Sequence, residues 1–107
     1  MVDYRLDATF IALADPTRRG MLAALALGEK PISELAAPYP MSLAGAAKHV
    51  GVLERAGLIE RRKVGRQQLC RLRSDRLKEA SDWLGQWKQF WNARLDALEA
   101  TLKDDAA

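Results

Sequence analysis

Eight cations fall within residues 42–73 of this 107-residue chain: Lys48, Arg55, Arg61, Arg62, Lys63, Arg66, Arg71 and Arg73. Only Glu54 and Glu60 oppose them, a net of +6, while residues 1–41 carry −1 and residues 74–107 carry −2. A basic segment between mildly acidic flanks is the charge pattern of a polyanion-binding face, or of an arginine-rich solvated surface. Other chemistry is poorly provided for. His49 is the one histidine and Cys70 the one cysteine, so an internal disulfide is excluded and a metal role for His49 lacks partner ligands. No nucleophile–base pair, phosphate loop or metal cluster stands at usable spacing, which argues against an enzyme and implies no cofactor.

These residues need elements to position them. A chain of 11.9 kDa with 49% hydrophobic and 29% charged residues is expected to fold as one domain over residues 1–107. Leu6, Phe10, Ile11 and Leu13 have rough helical spacing. Asp15-Pro16 then starts a second helix, because Asp caps and Pro at the first helical position leaves no amide unpaired. Met21, Leu22, Leu25 and Ala26 give its stripe, and Gly28 is placed to end it. A short third helix carries Ile32, Leu35 and Ala36, and Pro38-Tyr39-Pro40 breaks it. Ser42 caps a fourth helix running to about Ala56, and Gly57 stops it.

Beyond Gly57 the pattern changes to alternation, with a turn at Gly65-Arg66. This predicts a β-hairpin with a basic tip. From Ser74 or Asp75 a long helix is expected to about Leu102, striped by Leu77, Ala80, Leu84, Trp87, Trp91, Leu95, Leu98 and Leu102. The last five residues read as a frayed end. The fold class is therefore mainly α with a small β-hairpin wing: a winged helix-turn-helix with a long C-terminal helix for dimerisation.

The residues at this point resemble a family. Leu13-Ala14-Asp15-Pro16-Thr17-Arg18-Arg19, Ile32-Ser33-Glu34-Leu35-Ala36, Lys48-His49-Val50, Val52-Leu53-Glu54-Arg55-Ala56-Gly57-Leu58-Ile59 and Gly65-Arg66 look like the ArsR-type winged helix-turn-helix regulators, over nearly the whole chain. The Trp83, Trp87, Phe90 and Trp91 cluster is similar to a non-metal branch of that family. Metal sensors of the family place Cys-x-Cys in the third helix, where this chain has Ser33-Glu34-Leu35-Ala36-Ala37. Others use Asp and His ligands on the last helix, which here has no histidine. The residue before the Lys-His pair, often polar in the family, is Ala47. The resemblance implies a homodimeric, sequence-specific DNA-binding transcriptional regulator, usually a repressor acting by promoter occupancy. A winged-helix module that binds protein instead is the alternative, and the basic segment argues against it.

With Ala46 at the centre of the buried face of the fourth helix, Leu43, Val50 and Leu53 share that face. Ala44, Lys48, Gly51, Val52 and Arg55 then point outward. The N-terminal part of a recognition helix enters the major groove of double-stranded DNA, so Ser42, Ala44, Gly45, Ala47 and Lys48 are the groove candidates. Lys48 can donate to guanine or phosphate, Ser42 can cap and donate to phosphate, and the alanines offer apolar contact. Gly45 and Gly51 are either close approaches to DNA or tolerated weak helix formers. His49, on the flank, is either a core-edge hydrogen-bonding residue or a DNA contact. Arg62, Lys63 and Arg66 at the hairpin tip, with Gln67 and Gln68 adding neutral contacts, would lie along the backbone or enter the minor groove. Arg18 either pairs with an acid such as Glu54 or meets phosphate.

The long helix is too long for so small a domain to cover. Leu6, Phe10, Trp83, Leu84, Trp87, Phe90, Trp91 and Leu95 are the expected homodimer interface, although the aromatics could instead belong to the subunit's own core. Such an interface can also hold an apolar effector. Cys70 reads as a small apolar strand residue rather than a redox trigger. No membrane partner is expected, since no apolar run approaches a span. The opening residues carry no secretory pattern, so the expected location is the cytoplasm.

Overall fold

Local capping chemistry sets the helix boundaries. The computed structural model describes residues 4–106. Helix α1 covers Tyr4–Leu13 and α2 covers Pro16–Leu25. Asp15 caps α2 by accepting the Arg18 amide at 2.9 Å, with Pro16 opening the helix. Helix α2 stops at Leu25, earlier than Gly28. The chain turns through Ala26 and Leu27, and Gly28 takes φ +138° after the turn. Strand β1 (Lys30–Pro31), α3 (Ile32–Ala36) and α4 (Leu43–Arg55) follow. The Ser42 hydroxyl oxygen accepts the Gly45 amide at 3.0 Å at the start of α4.

The end of α4 is a Schellman motif. Gly57, at φ +77°, donates to the Glu54 carbonyl, and Leu58 donates to the Leu53 carbonyl, both at 3.0 Å. That sharp reversal delivers the chain into β2 (Ile59–Val64) and β3 (Gln67–Leu72). The hairpin loop is Gly65-Arg66, with φ +61° at Gly65 and no positive φ at Arg66, the pattern of a type II′ turn. It sets Glu60 opposite Arg71 and Arg61 opposite Cys70. The sheet has a third strand that the sequence pattern did not announce. Strand β1 pairs antiparallel with β3, giving the order β1-β3-β2. Two residues flanked by a helix carry no alternation to read; only the β3 edge makes them a strand.

Helix α5 spans Asp75–Ala106, 32 residues. It continues past Leu102 through the stretch expected to fray, of which Ala107 lies outside the described residues. Between the α-helices and the sheet sits the core, with Met21, Leu25, Leu35, Val50, Leu53, Leu58, Ile59 and Cys70 all buried. Ala46, Val50 and Leu53 lie on the buried face of α4 as expected, but Leu43 does not. At the first position of α4 it projects past the end of the core and is 60% exposed. Gly51, expected outside, is buried, because the Arg55 side chain folds across it.

Candidate nucleic-acid interface

The outer surface of α4 is sparse in polar groups. Ala44 and Lys48 are exposed, Ala47 is half-buried, and Leu43 adjoins them at the N-terminal end. Ser42 accepts the Gly45 amide through its hydroxyl oxygen, so its own O–H proton is free to be donated. A methyl group at Gly45 would meet only Ser42 Oγ at 3.4 Å and Met41 Cβ at 3.7 Å, so no tight packing in the subunit demands glycine there.

His49 faces inward to a small network. Its Nδ1 lies 3.4 Å from Arg18 Nη1 and 3.8 Å from Asp15 Oδ2. Arg18 donates from Nε to the Ala12 carbonyl at 2.8 Å and from Nη2 to the Ile11 carbonyl at 3.1 Å. It therefore ties the end of α1 to α2 and α4, and the pairing with Glu54 considered for it does not form. The Asp15 carboxyl is held below its usual range, chiefly by the Arg18 amide, with the Arg18 guanidinium charge adding.

Glu54 belongs to Arg61. The Arg61 guanidinium grips the carboxylate with Nη2 at 2.8 Å and Nε at 3.2 Å, fixing β2 to α4. These hydrogen bonds lower the Glu54 pKa and raise that of Arg61. The wing thus meets α4 through a two-point clamp rather than apolar contact alone. Cys70, opposite Arg61, is buried, and burial pushes its thiol pKa up, so it is held as an unreactive thiol.

The cations of the basic segment divide sharply. Arg62 donates to Glu29 at 2.8 and 3.1 Å, Arg71 pairs with Glu60, and Arg73 lies 3.6 Å from Asp75. The side chains of Lys48, Arg55, Lys63 and Arg66 make no ion pair or hydrogen bond among the described residues. Gln67 and Gln68 are exposed beside them. So Arg62, expected from sequence to act with Lys63 and Arg66, sits in a different electrostatic setting from them. The Glu60–Arg71 pair was legible, because a two-residue turn at Gly65-Arg66 puts 60 opposite 71. The Glu29–Arg62 pair was not, because Glu29 is brought there by β1.

Between α4 and the wing lies an open cleft of about 450 Å³, lined by Pro31, Ile32, Ser33, Leu43, Ala47, Arg61, Arg66, Gln67 and Gln68. Its lining is mostly apolar, with Arg61, Arg66, Gln67 and Gln68 supplying the longer polar side chains. Leu43 is the lining residue that sequence reasoning misplaced; its position in the first helical turn, ahead of the Ala46–Val50–Leu53 stripe, was the available signal.

An aromatic ladder runs along α5, beginning at Phe10 of α1. Ring centroids are 5.8 Å apart for Phe10–Trp83 and for Trp83–Trp87, 6.2 Å for Trp87–Phe90 and 6.4 Å for Phe90–Trp91. Arg94 stacks over Phe90 at 5.0 Å. Phe10 and Leu6 are half-buried, whereas the four rings on α5 remain 40–60% exposed and Leu84 and Leu95 are exposed too. A groove of about 370 Å³ lined by Phe10, Leu13, Leu77, Ala80, Leu84 and Gly85 adjoins them. Among the described residues no helix is long and apolar enough to cross a membrane.

This arrangement has known counterparts. A family model described as a helix-turn-helix domain matches residues 13–62. The HTH-type transcriptional regulator Rv2034 of Mycobacterium tuberculosis is 37% identical over 73 residues, covering 67% of this chain and 68% of the relative. The crystal structure of an ArsR family transcriptional regulator superposes with a TM-score of 0.79 at 36% identity, covering 86% of this chain and 95% of that one. The solution structure of a homodimeric winged helix-turn-helix DNA-binding domain from Mycobacterium bovis shares the fold at a TM-score of 0.61 and 24% identity, covering 85% of this chain and 82% of that one.

Proposed function

The chain belongs to the ArsR-type family of winged helix-turn-helix transcriptional regulators, and from that premise we propose that it acts as a homodimeric repressor which occupies promoter DNA. The observation that carries this reading is the set of side chains Lys48, Lys63 and Arg66, unpaired among the described residues, on α4 and the wing, together with a face of α5 that is apolar and uncovered. A polyanion gains most from cations that have no internal partner to give up.

In this reading α4 enters the major groove with Ser42, Ala44, Gly45, Ala47 and Lys48 nearest the bases. Ser42 donates to a phosphate while still capping α4, and His49 lies at the groove edge. The wing places Lys63, Arg66 and Gln67 on the neighbouring backbone, and Arg62 joins them by exchanging Glu29 for a phosphate. The Arg61–Glu54 clamp sets the angle between the two reading elements.

Two-fold pairing through α1 and α5 would cover Leu6, Phe10, Trp83, Leu84, Trp87, Phe90, Trp91 and Leu95. It would also place two recognition helices about one DNA turn apart, roughly 34–36 Å. The M. bovis neighbour, a homodimeric DNA-binding domain of the same fold, supports this assembly.

The test is a fluorescence titration of the purified protein against the duplex upstream of its own gene and a scrambled duplex, each at two salt concentrations. Tight, salt-sensitive binding with preference for the native duplex is expected. Loss of Lys63 or Arg66 should lower the salt slope by about one counterion each. Absence of binding to either duplex at low salt would remove the DNA role and favour a protein partner.

A further inference from the structure

We infer that the recognition surface reads thymine methyl groups, and that Leu43 is the residue that determines this specificity. The inference rests on the DNA-binding reading above and deepens it. Three observations meet at one place. Leu43, a residue type that burial would normally claim, is 60% exposed at the N-terminal end of α4. With Ala44 and Ala47 it forms an apolar strip, and Lys48 is the exposed side chain of the first two turns that can hydrogen-bond a base edge, with His49 half-buried beside it. Beside that strip the cleft of about 450 Å³ stands open between α4 and the wing, with Arg66, Gln67 and Gln68 in its lining.

Asparagine, glutamine or arginine on this face would read adenine or guanine through paired hydrogen bonds; none is present on it. What an aliphatic strip can distinguish in the major groove is the C5-methyl of thymine, which the other three bases lack. The unpaired Lys48, Lys63 and Arg66 around the strip identify the occupant as a polyanion rather than an apolar small molecule or a second protein. They hold phosphates on either side while Leu43 meets the base edge.

The experiment uses the full chain and duplexes enriched by it from a random pool at physiological salt. The best duplex is resynthesised with deoxyuridine in place of each thymidine in turn. Removing one engaged methyl is expected to weaken binding about fourfold, at one or two positions in each half-site, with no effect elsewhere. Leu43→Ala should bind the thymidine and deoxyuridine duplexes equally at one of those positions. It should fold normally because Leu43 is exposed. Leu43→Met, which keeps the apolar bulk, should retain the discrimination. Indifference of the parent to every deoxyuridine, or full discrimination surviving in Leu43→Ala, would overturn the inference while leaving DNA binding intact. Failure to enrich any duplex, together with no salt-sensitive binding, would instead overturn the DNA reading and this inference with it.

Discussion

Trp91→Ala tests the assembly where the subunit itself is least involved. Trp91 is 60% exposed, and its one ring contact is Phe90, at 6.4 Å between centroids. Nothing in the subunit core leans on it. A tryptophan presents about 250 Å², so a partner covering the exposed part would remove roughly 150 Å² from water. At about 25 cal/mol per Å² that is roughly 4 kcal/mol per protomer as an upper bound. Incomplete covering and the area kept by alanine reduce it to about 2 kcal/mol, which is about 30-fold in the dimer dissociation constant. Two-fold symmetry loses the contact twice, so the rise approaches about a thousandfold. Sedimentation velocity over a concentration series reads this directly, with far-ultraviolet circular dichroism showing that the helices persist. DNA affinity should fall in step at concentrations where the variant is monomeric. A variant that dimerises as tightly as the parent, or a parent that is monomeric at every concentration reached, would refute the reasoning.

Other perturbations probe the frame that holds the reading elements. A methyl at Gly20 of α2 would overlap the Tyr39 hydroxyl and lie 3.3 Å from the carbon bearing it. Gly20→Ala should therefore lose the helix-propensity gain of about 1 kcal/mol and end about 1–2 kcal/mol less stable in urea. Adding Tyr39→Phe should recover most of that, since the hydroxyl makes no hydrogen bond among the described residues; a fully stable Gly20→Ala would disprove the contact. Asp15 and Glu54 both have lowered carboxyl pKa values, chiefly through the Arg18 backbone amide and the Arg61 guanidinium respectively. Their contribution is fully present above the unfolded carboxylate range near about 4 and is lost as pH falls through the lower folded values. Urea unfolding from neutral pH to about pH 2 should show that loss, and Asp15→Asn with Glu54→Gln should flatten it; an unchanged profile would rule the pairs out as its source. Cys70 is buried with a raised thiol pKa, so iodoacetamide at mildly alkaline pH should leave the native protein unlabelled and modify it on unfolding. Rapid native labelling would contradict its packing.

The helices and the hairpin could be read directly from the amino acids wherever a local rule carries the information. Asp15-Pro16, Ser42 and Gly57 each act on amides or carbonyls within a few residues, so the boundaries they set are local chemistry. The glycine-first turn at Gly65 fixes the hairpin register for the same reason. The uncovered aromatic face was also legible, because a helix of that length exceeds what a small domain can hide. Pairings across long separations were not legible, since they depend on how the elements pack. Glu29 neutralises Arg62 only because β1 pairs with β3, and Glu54 clamps Arg61 rather than Arg18 only because β2 packs on α4. Leu43 shares the helical phase of the core residues yet stands outside, because phase gives the direction of a side chain and not where the core ends. Charge counting therefore located the basic segment, but only folding selected which of its cations keep their charge free for a polyanion.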